Sequence, residues 1–149
     1  MYTSHQASQE EFLHLVRELV STYQVFIAYS HTHFRSLNLT MPQFDVIATL
    51  GNTTGMNFKE LGQKTLITKG TLTGVIDRLE EKGLVTRVID QADRRMFQVT
   101  LTTEGQALFE KVFPAHILFL KTQFDQLTID EQRQQIESLR KLKQIFPIT

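Results

Sequence analysis

Residues 88–105, VIDQADRRMFQVTLTTEG, place two arginines, Arg94 and Arg95, directly behind an aspartate, Asp93. A guanidinium is a planar fork of donors that matches phosphate and carboxylate, so this triplet has the chemistry of anion recognition. An aspartate two residues before Arg95 can hold that side chain in an extended pose. Without context the same residues also make an ordinary solvated turn with local ion pairs, which are worth little. A second set lies upstream, where Thr68, Lys69, Gly70, Thr71, Thr73, Asp77 and Arg78 crowd into residues 68–78. Threonine hydroxyls donate to phosphates or bases, and their methyls can pack on thymine.

Bond-breaking chemistry has no comparable set. The chain shows no Ser/His/Asp or Cys/His arrangement, no phosphate-cradling glycine loop and no metal-spaced cluster. It has no cysteine, which excludes disulfides, thiolate metal sites, cysteine nucleophiles and thiol redox sensing. The expectation is a protein that is not an enzyme and needs no cofactor or metal.

The elements that must carry these residues are marked by capping patterns. Ser8-x-x-Glu11 reads as a capping box ahead of Phe12, Leu15, Val16, Leu19, Tyr23, Phe26, Ile27 and Phe34, which recur at helical spacing. This predicts a first helix over about residues 9–35. Thr40-x-x-Gln43, with Pro42 in the first turn and Leu39 and Phe44 as a hydrophobic staple, predicts a second over about 41–51. Asn57-x-x-Glu60 opens a short third helix ending near Lys64, and Thr68 opens a fourth that stops at Gly83. Two alternating runs, 84–89 and 96–101, read as strands joined by a six-residue loop. Thr103-x-x-Gln106 starts a fifth helix, bent at Pro114, and Thr128-x-x-Glu131 a sixth reaching about Phe146.

A short helix pair followed at once by a two-stranded hairpin is a winged helix–turn–helix, whose second helix enters a major groove. The fold class is therefore mainly α with a small β-hairpin wing. On a wheel of about 100° per residue, Leu72, Val75, Ile76 and Leu79 fall on one side of the fourth helix. Gly70, Thr73, Gly74, Asp77 and Arg78 fall opposite, with Lys69 and Thr71 near the N-terminal end. Two glycines inside a helix cost about 1 kcal/mol each relative to alanine, and their shared outward position suggests that a groove floor or phosphate backbone comes close. Lys69 adds charge near a helix N-terminus that itself attracts phosphate. An ordinary solvated helix face is the competing reading. The wing tip at Arg94 and Arg95 would lie in a minor groove, where negative potential concentrates.

Charge supports this only locally. Lys+Arg and Asp+Glu are both 16, but residues 57–98 hold eight basic and six acidic side chains. No apolar run approaches the roughly 18–20 residues that span a bilayer, and the polar start MYTSHQASQEEF is unlike a secretory signal. The default is a cytoplasmic protein with no membrane partner. At 149 residues with 41% hydrophobic content, one packed domain is the simplest organisation.

Three blocks together resemble the MarR family of bacterial transcription regulators: LTMPQFDVIATL at 39–50, TLTGVIDRLEEKGLVTR at 71–87 and DRRMFQVTLTTEG at 93–105. The resemblance covers essentially the whole chain. It implies one domain over 1–149, with the winged helix–turn–helix at about 39–102 and dimerisation helices at about 9–35 and 103–146. It further implies an obligate homodimer, helped by Ile136, Leu139, Leu142, Ile145 and Phe146, that reads a near-palindromic operator in double-stranded DNA. Arg95 matches the wing arginine that enters the minor groove, and Asp93 the aspartate that orients the tip. Asp77 matches one that pairs with a wing arginine, Arg78 a position near the phosphate backbone, and Arg94 a phosphate contact.

The resemblance also implies a small aromatic or phenolic effector, bound between dimerisation helices and winged domain, for which Tyr29, His33, Phe34, Phe44 and His116 are possible lining residues. Aromatics at such spacing are also plain core. Peroxide-sensing members need a cysteine that this chain lacks. Zinc-sensing members use histidines near the first, second and fifth helices, where His31, His33 and His116 stand here. His31 and His33 point about 200° apart on a helix and do not readily share one site. The expected function is a dimeric, DNA-binding repressor released by an effector. A zinc-responsive regulator of the same fold, or a winged-helix module that binds a protein partner instead of DNA, remain as alternatives.

Overall fold

The computed structural model describes residues 1–65 and 67–147 of the chain, so Leu66 and the last two residues lie outside this account. It divides into two compact units, residues 1–110 and 111–149.

The first unit opens with a short α1, Ser4–Ala7, capped by Thr3 and Gln6 in a reciprocal box. The expected box at Ser8 and Glu11 does not form. Ser8 ends α1, and its hydroxyl turns back to donate to the His5 carbonyl at 2.8 Å. α2, Phe12–Ser36, therefore starts without a side-chain cap. It closes on Asn38, whose φ of 56° lets Leu39 N donate to Phe34 O and Asn38 N to Arg35 O, both at 3.1 Å. α3, Met41–Leu50, starts at the expected Thr40/Gln43 box with proline in its first turn. A two-residue strand β1, Met56–Asn57, follows and was not expected. α4, Phe58–Lys64, carries the Asn57/Glu60 box.

α5, Lys69–Glu81, ends at Gly83, where φ of 72° suits a residue without Cβ and Leu84 N reaches Leu79 O at 2.9 Å. β2, Val85–Ile89, and β3, Phe97–Leu101, form the hairpin with Val85 opposite Leu101 and Ile89 opposite Phe97. β1 pairs with the other edge of β3, giving an antiparallel sheet in the order β1-β3-β2. α6, Thr103–Phe124, begins one residue earlier than expected, because Thr102 rather than Thr103 is its cap. Thr102 Oγ1 accepts from Gly105 N at 3.0 Å and donates to Gly83 O at 2.6 Å. A Cβ on Gly105 would collide with the Leu84 carbonyl, so only glycine lets α6 start this close. The helix continues through Pro114.

The core of the first unit gathers Val46, Ile47 and Leu50 of α3, Leu61 of α4, Leu72, Ile76 and Leu79 of α5, and Val85 and Val99 of the wing strands. Each is an apolar position of its element's period, which is why the pattern folds this way. The apolar stripe of α2 is different: Phe12, Leu15, Leu19, Tyr23 and Phe26 are exposed.

In the second unit, α7, Ile129–Gln144, starts at the expected Thr128/Glu131 box. Gln132 Nε2 donates to Phe124 O at 3.0 Å and to Leu127 O at 3.2 Å, tying the first turn of α7 to the preceding bend. Here too apolar side chains stand in the open, among them Leu118, Ile129, Ile136, Leu139 and Phe146. No helix among the described residues is long and apolar enough to cross a membrane.

Candidate nucleic-acid interface

The inward face of α5 is Leu72, Val75, Ile76 and Leu79, all buried. The opposite face, Lys69, Gly70, Thr71, Thr73, Gly74, Asp77 and Arg78, is exposed throughout, as is Thr68 at the N-cap. Thr68 does not cap the helix with its side chain; its hydroxyl donates to that of Thr71 at 3.0 Å. A Cβ built on Gly70 or on Gly74 would meet nothing within 4 Å among the described residues. Nothing in the protein's own packing demands glycine at either position, and the space before this face is open.

Asp77 is engaged by Arg87 of β2, whose second guanidinium nitrogen donates to Glu80 Oε1 at 3.1 Å. The same guanidinium carbon stands over the Phe58 ring, 5.6 Å from its centroid. Arg87 thus ties the first wing strand to α5 and α4 together. The sequence reading assigned Arg87 no role, because its partners come together only once the turn at Gly83 has formed.

The wing tip is ordered by two aspartates. Asp93 Oδ1 accepts from Arg95 N at 3.0 Å, and Met96 N donates to Asp93 O at 2.9 Å, which fixes the backbone that carries Arg95. Asp90, also missed, accepts from Ala92 N at 2.7 Å, Asp93 N at 3.2 Å and Gln98 Nε2 at 3.0 Å. The Ala92 and Asp93 amides, then Gln98, hold its carboxyl below the usual carboxylate range. An aspartate leaving a strand into a turn is a signal for such a bond, and it could have been read. Arg94 and Arg95 are exposed, and no ion pair among the described residues involves either.

The residues considered for an effector are divided between the units. Tyr29 and His33 are half-buried on α2, while Phe34 and Phe44 are buried and meet at 4.9 Å between ring centroids, tilted by 42°. His116 belongs to the second unit, where it is buried and stacked with Phe119 at 6.0 Å. Ser30, one turn before Phe34, is fully buried, and its Oγ has no hydrogen-bond partner among the described residues. His31 is exposed, and no three His, Asp or Glu side chains among the described residues gather where they could hold a metal.

Comparison with known proteins points one way. Residues 39–97 match the profile of the MarR family. The uncharacterized HTH-type transcriptional regulator YkoM of Bacillus subtilis (strain 168) is 28% identical over 132 residues, covering 89% of this chain and 86% of that one. The homoprotocatechuate degradative operon repressor of Escherichia coli is 31% identical over 93 residues, 62% of this chain and 63% of the repressor. Among solved structures, BpsR of Bordetella bronchiseptica, whose DNA binding is regulated by 6-hydroxynicotinic acid, superposes with a TM-score of 0.76 at 31% identity, over 90% of this chain and 94% of BpsR. With a matching profile, a matching fold and relatives that span nearly its whole length, the chain belongs to the MarR family of winged-helix transcription regulators.

Proposed function

We propose that the chain is a homodimeric, cytoplasmic repressor that binds a near-palindromic operator and is released by a small aromatic or phenolic acid. It acts as one MarR-like domain over residues 1–149 and catalyses no reaction. The observation that carries the reading is the open glycine and threonine face of α5, together with a wing tip whose two guanidiniums have no ion pair among the described residues. In this reading α5 enters the major groove, with Thr68, Thr71 and Thr73 at phosphates and base edges, and Gly70 and Gly74 letting the helix sink. Lys69 and Arg78 pair with phosphates. Arg95 enters the minor groove, Asp93 sets its backbone, Arg94 takes a flanking phosphate, and Asp77 braces the wing through Arg87.

Dimerisation is supported by the exposed apolar side chains of α2 and of α7, which a second copy would cover. For the effector, the support is chemical. Homoprotocatechuate and 6-hydroxynicotinic acid, the molecules named with two relatives, are both aromatic acids. Tyr29, His33, Phe34 and Phe44 are assigned to the effector, and His116 is assigned with them on the family resemblance alone. An effector of this kind releases DNA only by preferring one dimer state over the other.

The test is a salt titration of binding to DNA that the protein itself selects from a random pool. Affinity should fall steeply with salt, because each phosphate contact releases a counterion. Arg95→Ala should weaken binding by about 1–3 kcal/mol and flatten the salt slope by about one unit. A folded Arg95→Ala protein with unchanged affinity removes the minor-groove assignment. Failure to select any DNA removes the whole reading in favour of a protein-binding module.

A further inference from the structure

The wing carries an apolar pair that neither the core nor the contacts above use. Ile89 and Phe97 are opposed across β2 and β3, so their side chains stand together on one face. Lower on that face are Val85 and Val99, which are buried, and Arg87, which reaches α5. Toward the tip the same face leaves the core, and Ile89 is 54% and Phe97 50% exposed. The loop they close holds Arg94 and Arg95, and Asp90 N donates to Met96 O at 2.8 Å directly beyond the pair. An apolar pair at the root of a loop with two exposed guanidiniums, neither in an ion pair among the described residues, fits an occupant with apolar and anionic surface side by side. The wall of a DNA minor groove is built that way, with deoxyribose carbons along the groove and phosphates at its rim.

We infer that Ile89 and Phe97 pack against the deoxyribose wall of the minor groove that receives Arg95, adding an apolar contact beside that of the arginine. This rests on the DNA-binding reading above. The contact is apolar, so it releases no counterions, and its contribution to affinity does not depend on salt. That separates it from the arginines, and from a merely structural role: a wing that lost order would lose its arginine contacts too, and the salt slope with them.

The experiment compares wild type, Arg95→Ala and the double variant Ile89→Thr/Phe97→Thr on a duplex selected from random DNA by the wild-type protein. Threonine keeps the β-branched or strand-favouring character that the hairpin needs, and circular dichroism with a thermal melt checks the fold. The double variant should bind roughly ten-fold more weakly at every salt concentration, with the wild-type slope. Unchanged affinity in the folded double variant overturns the inference, and so does a loss accompanied by a flatter slope. A change in oligomeric state by sedimentation would assign the pair to a contact between copies and overturn it as well. If the wild type selects no DNA, the DNA reading has failed, which is a different result from a double variant that binds like wild type.

Discussion

Arg87 Nη1 donates to Glu80 Oε1 at 3.1 Å, across the turn at Gly83 that separates α5 from the wing. With Asp77 held by the other nitrogen and Phe58 beneath, one side chain sets the angle between the two elements assigned to DNA. Arg87→Met should therefore cost only about 1 kcal/mol of stability, since these pairs are partly exposed, with the deficit shrinking at high salt. Operator affinity should suffer more than stability does. A double-mutant cycle with Glu80→Gln checks the first point; a coupling of zero would mean that the pair holds nothing.

Gly74→Ala should raise stability by about 0.5–1 kcal/mol, because its Cβ meets no neighbour and the helix gains propensity. The same variant should weaken operator binding if the groove floor takes that space. Stabilisation with undiminished affinity would show that nothing approaches this face closely.

Asp90 makes a pH prediction. Its carboxyl is held below the ordinary value by the Ala92 and Asp93 amides and by Gln98, so its contribution is complete above the unfolded value of about 3.9. That contribution is lost as pH falls through the lower folded value. Wing order should thus be flat from neutral pH to mildly acidic pH, then drop. In Asp90→Ala the drop disappears and the Ala92 and Asp93 amides exchange faster at neutral pH. A carboxyl NMR titration of Asp90 with an ordinary midpoint would contradict this.

Ser30→Ala removes a buried hydroxyl that makes no hydrogen bond, so stability should stay level or rise by up to about 1 kcal/mol. Chemical denaturation measures it. A clear loss of stability would mean that the hydroxyl has a partner in solution.

Much of this architecture was legible because its signals are local. Thr40/Gln43, Asn57/Glu60 and Thr128/Glu131 each formed the box their spacing announced. Ser8/Glu11 has the same spacing and did not, because Thr3 and Gln6 start a helix one turn earlier and leave Ser8 at its end. Pattern alone does not rank two boxes that start five residues apart. β1 was invisible for a different reason: two residues are too short to show alternation, and Met56 becomes a strand only by pairing with Val99.

The candidate site divides in the same way. The outward face of α5 follows from helical period, and the Asp93–Arg95 bond from a separation of two residues. Arg87 finds its partners at separations of seven and ten, after a turn has reversed the chain. A helical wheel of α5 does not contain it, and the block at 71–87 that does contain it shows no pairing between its ends.

The bond from Thr102 to the Gly83 carbonyl, with Gly105 seated against Leu84, has a mechanical consequence. The far end of α5 and the first turn of α6 are clamped at a single point. A tilt of that first turn would pull on the C-terminal end of α5, and the N-terminal end of this 13-residue helix would then swing through the larger arc. In such a tilt the clamp would be the fulcrum, with residues 68–71 at the tip of the lever.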